Sequence, residues 1–283
     1  MREAIVRFIE MSLPAREAGL LLGMLVGETG GMERDFWLFL KNSGLLHLVV
    51  VSGCNMMLLS RVVIENLAGL MGRKRAIVVG LMCMWGYAGL AGFGVPAVRA
   101  AFLVFFYYMA QFWGRKYDWK RALILTVAIM MVIDWRMIEG ASFWLSLVAF
   151  LAIVVRDEGR EGGGSFGEGL WDAFVTTIWV SLWVTPILAL MFGRVSIVSV
   201  AANVMVVGVV QIISLVGGAG VVAGLVWPVL GRGILWLCLP LLSYFSMVVE
   251  TGGRYEGLSV RFNGLMMTGW YLLLLYVLMR GKR

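Results

Sequence analysis

The stretch IVSVAANVMVVGVVQIISLVGGAGVVAGLVW, Ile197 to Trp227, holds 31 residues without one charged side chain. An apolar run needs roughly 20 residues to cross a bilayer as a helix, so this segment has length to spare. Gly217-Gly218-Ala219-Gly220, about two-thirds of the way along it, predicts a break or kink, since the run is too long for one straight span. Working outward, the rest of the chain repeats the pattern. Further apolar runs cover Leu45–Ile64, Ala76–Phe93, Pro96–Trp113, Ala122–Trp135, Ser142–Val155, Leu170–Phe192, Ile234–Val249 and Gly264–Met279. The shorter ones read as tilted or re-entrant. The reading is an all-α polytopic membrane protein with about nine transmembrane or re-entrant helices.

Composition supports that class. Hydrophobic residues are 61% of the 283 and charged residues 14%, against about 45–50% and about 25% in soluble domains. A soluble fold of this size has nowhere to hide the surplus apolar surface, and lipid is its natural solvent. The 36 glycines fit helices that approach one another closely. Cys54, Cys83 and Cys238 lie in apolar runs at no disulfide or metal spacing and read as packing residues. The single histidine excludes a multi-histidine metal site.

Before the first long run, Arg2, Glu3, Arg7 and Glu10 interrupt the opening stretch, which reads as an amphipathic helix rather than a secretory signal. A second such helix follows Pro14, with Gly19, Gly23 and Gly27 along one stripe, a spacing given no functional meaning. Residues 1–44 are thus expected as amphipathic helices on the outer face, and 45–283 as the transmembrane domain. Direction follows from the basic residues. Connectors after the first, third, fifth, seventh and ninth runs hold thirteen Lys and Arg, and the alternate connectors hold four. Cationic loops stay on the cytoplasmic side, which puts the C-terminus in the cytoplasm. The net charge of +7 is mostly this topology signal.

Polar groups inside apolar runs are the candidate functional residues, because each must face a cavity or a partner. If Leu45–Ile64 and its continuation are one helix, His47, Cys54, Leu58, Arg61 and Glu65 fall within about 40° of one line, with Asn55 about 80° away. Arg61 and Glu65 also fit a simple i,i+4 ion pair, and His47 fits a structural role at a helix end. Ser52-Gly53 is a place for the helix to loosen. Pro96 suits the first turn of a helix. Arg99 then lies near the helix start, placed to bind a phosphate or to snorkel to the outer interface, and spacing alone favours snorkelling. Asn203 is expected to bond another helix, and Asp134 with Arg136 to mark an interface.

Taken in order, several segments resemble the ComEC competence family of DNA-uptake proteins. Gly44-Leu45-Leu46-His47-Leu48-Val49-Val50-Val51-Ser52-Gly53-Cys54-Asn55 is similar to the family stretch GL-x-HLLAVSG-x-N/H. Its lead-in looks like Leu22–Gly27 and Phe36–Lys41. Pro96-Ala97-Val98-Arg99-Ala100 matches PS-x-x-RA with alanine for serine, and Phe143–Ala149, which contains Ser146, looks like F-x-LSFxA. Phe192–Ser196 with Asn203 resembles a further motif, without the proline that usually follows the asparagine. The resemblance covers residues 15–280 and corresponds to the family's transmembrane competence domain.

It implies passage of one DNA strand across the cytoplasmic membrane in natural transformation. Arg61 and Arg99 become the candidates for phosphate contact, and His47, Ser52 and Asn55 supply neutral hydrogen bonds along the same path. Glu65, Ser146 and Asn203 take structural polar roles. No residue is given a catalytic role, and no metal or cofactor is expected. The OB-like and metallo-β-lactamase-like regions of relatives are not expected here, nor is the nuclease activity associated with the latter. No GxxxxGK[ST] is present, so the resemblance calls for a separate motor and a periplasmic DNA-binding partner; self-association is left open. A small-molecule secondary transporter and a non-conducting relative are the competing readings. An enzyme acting on lipid-linked substrates would want clustered acids or histidines at one depth, and the acids here are scattered.

Overall fold

A computed structural model describes residues 2–49, 53–157, 175–176, 178–188, 195–254, 259–260 and 264–281. In chain order the helices are α1 (Arg2–Glu10), α2 (Ala15–Val26), α3 (Arg34–Asn42), α4 (Gly53–Met71), α5 (Arg73–Leu90), α6 (Val95–Phe112), α7 (Trp119–Ile133) and α8 (Ala141–Asp157). They continue with α9 (Ile178–Leu188), α10 (Ile197–Val226), α11 (Pro228–Arg254) and α12 (Gly264–Gly281). Among the described residues the fold is helical apart from a two-residue antiparallel ladder pairing Val195 with Val260 and Ser196 with Ser259.

Three helices among the described residues are long and apolar enough to cross a membrane: Val95–Phe112, Ala201–Val226 and Pro228–Arg254. Phe143–Arg156 and Ile178–Leu188 are apolar but shorter. The run expected at Leu45–Ile64 is not one helix. A 3-10 turn occupies Leu46–Leu48, and the described part of α4 is Gly53–Met71; the Ser52 side of the Ser52-Gly53 expectation lies outside the described residues. Residues 170–174, 177 and 189–192 of the sixth expected run, and 192–194 of the Phe192–Ser196 motif, lie outside the described residues.

The chain forms two compact units. The first holds residues 1–34, 47–140 and 208–247. Its core sits between α4, α5 and α6, where Met56, Ile64, Ala76, Met84, Ala88 and Ala101 are fully buried. Small residues set the spacing: the Ile64 side chain occupies the place a Cβ on Gly80 would take, so α4 and α5 approach through that glycine.

The glycine cluster of α10 corrects the sequence reading, because the helix runs unbroken from Ile197 to Val226. These glycines make room for neighbours instead of interrupting hydrogen bonds. A Cβ on Gly217 would lie 2.6 Å from Leu21 Cδ1 of α2, and one on Gly220 2.9 Å from Leu235 Cδ2 of α11. Gly224 meets the Phe8 ring of α1, and Gly231 of α11 meets the Gly224 backbone. Helix α1 is amphipathic as expected, with Ile5 and Ile9 buried. The Trp236 indole N–H donates to the Ser12 carbonyl at 3.1 Å just beyond it. Asp118 caps α7, accepting from the Lys120 and Arg121 backbone N–H groups at 3.0 and 3.2 Å.

The second unit holds residues 35–46, 141–207 and 248–283. Here indole and phenol groups tie helices to backbone carbonyls. Trp179 donates to Ala152 at 3.0 Å, Trp270 to Leu182 at 3.0 Å, and Tyr271 to Trp183 at 3.1 Å. Asn203 bonds another helix as expected: its Nδ2 donates to Ser181 Oγ of α9 at 2.7 Å. At the end of α11, a Cβ on Gly253 would lie 2.7 Å from the Phe39 Cα of α3.

Candidate functional site

Two of the polar residues singled out in the sequence, Asn55 and Arg99, lie near the starts of α4 and α6, in the first unit. Helix α2 leads into this region and ends at Gly27, whose φ of 74° is the left-handed conformation that glycine adopts without strain. The Gly27 N–H bonds the Gly23 carbonyl, and the Glu28 N–H reaches back to Leu22. That arrangement leaves the Met24 carbonyl without its usual partner four residues on. Asn55, in the first turn of α4, supplies one: its Nδ2 donates to Met24 O at 3.2 Å. Asn55 is buried, and the Tyr87 side chain of α5 also reaches it.

Gly23 completes the joint between α2 and the segment that precedes α4. A Cβ there would lie 2.6 Å from Val49 Cγ1 and 2.8 Å from the Val49 carbonyl oxygen, and Val49 is fully buried. Backbone therefore sits directly on the glycine. The Gly19, Gly23, Gly27 spacing, to which the sequence assigned no meaning, is a docking face at Gly23 and a helix stop at Gly27.

Helices α4 and α6 start side by side. A Cβ on Gly53, the first residue of α4, would lie 3.2 Å from the Ala100 Cβ of α6. Pro96 occupies the first turn of α6 as predicted, after Gly94 at the cap. The neighbouring turn carries strain that the sequence did not signal: Phe93 has φ 51° beside Gly92 at 72°, the left-handed region that a bulky side chain disfavours.

Arg99, one residue before Ala100, is 1% exposed. Snorkelling to an interface, which spacing alone favoured, is therefore corrected. Arg99 is among the largest fully buried side chains, flanked by Ala97, Val98 and Ala101 in the packed face of α6, and it is engaged with other groups rather than free. Arg99 is thus a buried cation near the start of α6, the end of a helix that itself carries positive potential.

The remaining candidates separate from this cluster. His47 lies in the 3-10 turn and is exposed. Because a 3-10 turn holds His47, it does not continue the α4 face that carries Arg61, and the single wet stripe expected from His47 to Glu65 does not form. Ser52 lies outside the described residues. Arg61 is exposed, its Nε donating to Glu65 Oε1 at 2.9 Å as an i,i+4 pair. It lies six residues beyond Asn55, about 9 Å along the axis. Ser146 lies in α8, in the second unit. Asn203 keeps its Oδ1 buried without a partner among the described residues. Asp134 is a local cap, accepting from the Arg136 N–H at 3.0 Å. No group of three or more metal-ligating side chains occurs among the described residues.

Fold and site together define a helical protein with three described apolar helices of membrane-crossing length and two buried polar side chains, Asn55 and Arg99, near helix starts. A family model described as Competence protein matches residues 24–283, and the chain belongs to that family. It is 29% identical over 136 residues to Recombination protein 2 of Haemophilus influenzae, covering 45% of this chain and 17% of that protein. It is 28% identical over 172 residues to Competence protein ComA of Neisseria gonorrhoeae, covering 56% and 25%. An uncharacterized Escherichia coli protein, YcaI, is 23% identical over 207 residues, covering 69% and 28%. The chain thus spans from about a sixth to just over a quarter of the length of these relatives. No solved structure matches it.

Proposed function

We propose that this chain is a multi-pass segment of the cytoplasmic membrane, of about nine transmembrane or re-entrant helices with residues 1–44 outside and the C-terminus inside. In this reading it conducts single-stranded DNA inward in natural transformation. Membership of the competence family supports a role in DNA uptake. The observation that carries the finer reading is Arg99, buried beside the paired starts of α4 and α6. A polyanion entering a low-dielectric medium needs fixed positive potential, and helix N-termini with a held guanidinium provide it without mobile counter-ions. Asn55 is the neutral neighbour of that site, while His47 and Arg61 mark more accessible positions along the path.

The chain is assigned no catalytic step, metal or cofactor. Inward movement of a polyanion opposes an inside-negative potential, so a separate motor pulls the strand and a periplasmic DNA-binding protein delivers it. The deciding experiment is uptake of labelled single-stranded DNA into liposomes that hold the purified chain, with and without those partners. A small amino acid or sugar serves as the control solute. The expected result is DNA entry that is lost in Arg99→Gln protein of normal yield and helicity. Entry of the control solute alone turns the assignment to a small-molecule transporter. No entry with partners present points to a relative that has lost conduction.

A further inference from the structure

A second surface of the first unit lies at the opposite end of α5 and α6 from Arg99. Arg73, Lys74 and Arg75 open α5, Arg115 and Lys116 follow α6, and Lys120 and Arg121 lie in the first turn of α7. Three contacts bring these sets together. Arg73 Nη2 donates to Gln111 Oε1 at 2.8 Å. Lys74 Nζ sits 5.6 Å from the Phe112 ring centroid, and the Tyr107 and Tyr117 rings meet edge to face at 5.3 Å. The one carboxylate in these segments, Asp118, is committed to capping α7 and to Arg121 Nε at 3.0 Å. Arg75, Arg115 and Lys116 are exposed and have no side-chain partner among the described residues.

Charge alone would suit any anion, but a second observation narrows the choice. On α5, Val78 and Met82 follow Arg75 at i+3 and i+7 and are 45% and 69% exposed. On α7, Ile124 and Leu125 follow Lys120 and Arg121 at i+4 and are 68% and 48% exposed. Arg75, Lys120 and Arg121 therefore each head exposed apolar residues on the same helix face. A nucleic-acid strand or an acidic peptide matches the cations and leaves those apolar residues in water. A molecule with a phosphate at one end and hydrocarbon below matches both.

We propose that this end of α5, α6 and α7 binds the phosphate of anionic phospholipid in the adjoining leaflet. The acyl chains lie along Val78, Met82, Ile124 and Leu125. Trp113, which is 65% exposed at the same level, suits the headgroup boundary. The inference rests on the membrane reading but not on DNA conduction, so the two stand or fall separately.

The test equilibrates the full chain in detergent with equal amounts of phosphatidylglycerol and phosphatidylcholine. Bound lipid is then counted by class after excess micelles are removed. Wild-type protein is expected to retain several-fold more phosphatidylglycerol than phosphatidylcholine, since basic residues near the surface favour anionic headgroups. The combined Arg75→Gln, Arg115→Gln, Lys116→Gln protein is expected to retain both equally, with total bound lipid unchanged. A charge-matched control, Arg7→Gln, Arg34→Gln, Arg136→Gln, is expected to keep the preference. All three preparations are compared by circular dichroism and size-exclusion elution. Preference that persists in the first variant, or is lost equally in the control, overturns the proposal. Displacement of phosphatidylglycerol by glycerol phosphate or a 20-nucleotide strand also overturns it, marking a general phosphate or nucleic-acid surface. Failure of every preparation to retain lipid removes the proposal together with the membrane reading. A DNA-uptake failure with the lipid preference intact touches only the proposed conduction.

Discussion

At the starts of α4 and α6, Asn55 and Arg99 are buried, and the Asn55 amide bonds a backbone carbonyl of α2. Further along α4, Arg61 and Glu65 are 65% and 54% exposed and pair with each other on one face. The same two helices thus carry polar groups in two regimes. In the first, a polar group is tied into the interior and its loss leaves a partner unsatisfied. In the second, a charge pair sits where a competing medium can replace it. Sequence spacing treats the two alike, because both are polar residues at intervals in an apolar helix. Burial separates them.

The comparison can be broken at its buried end. Arg99→Ala is expected to have the largest effect, because the groups around the guanidinium lose their partner at a cost of about 3 kcal/mol. In cells with normal membrane levels of the protein, transformation frequency is expected to fall by at least tenfold, on the order of the loss expected when a buried charged partner is removed. Arg99→Lys keeps the charge and is expected to recover part of it. Wild-type frequency with Arg99→Ala would remove Arg99 from the path.

Gly23→Val tests the joint beside it. The added side chain meets Val49 backbone, which cannot swing aside, and the expected loss is about 2 kcal/mol in thermal unfolding in detergent. Gly19→Ala is the control on the same stripe, since its nearest neighbour is a flexible Met32 side chain at 3.4 Å. Equal losses at the two positions would mean the glycines matter for something other than the Val49 contact.

Asn55→Ala removes the donor to Met24 O, and about 1–2 kcal/mol of stability is expected to go with it. Hydrogen exchange should rise at the end of α2 before it rises in α5. Uniform loosening would instead show that Asn55 acts through general packing.

The smallest effect belongs to the exposed pair. A double-mutant cycle on Arg61→Ala and Glu65→Ala is expected to give about 0.3–0.5 kcal/mol, falling as salt is added. A coupling of several times that size would place Arg61 in the buried regime and collapse the distinction.

Some of this was legible in the residues because it depends on local chemistry. Pro96 announced a helix start, since its ring fixes φ and lacks the N–H that a first turn leaves unpaired. Asn203 announced a bond to another helix, although nothing nearby named Ser181, 22 residues away. The exposed Arg61–Glu65 pair follows from helical spacing alone.

Other features depended on which surfaces meet, and periodicity misread them. Gly217-Gly218-Ala219-Gly220 is a plausible break in an isolated helix, yet against Leu21 and Leu235 it is a close-packed seam. Arg99 read as an interfacial cation until the burial of Ala97, Val98 and Ala101 around it placed it in the core. The face running from His47 to Glu65 assumed a continuous helix that the 3-10 turn at Leu46–Leu48 interrupts.

The sequence by itself determined the solvent and the element type. Apolar content, run length and glycine supply are sums over residues, and no arrangement of the chain alters them. The tertiary structure decided which polar groups are interior and which are rim. A side chain's burial and partners are set by residues tens of positions away, as Met24 O is for Asn55 and Val49 is for Gly23.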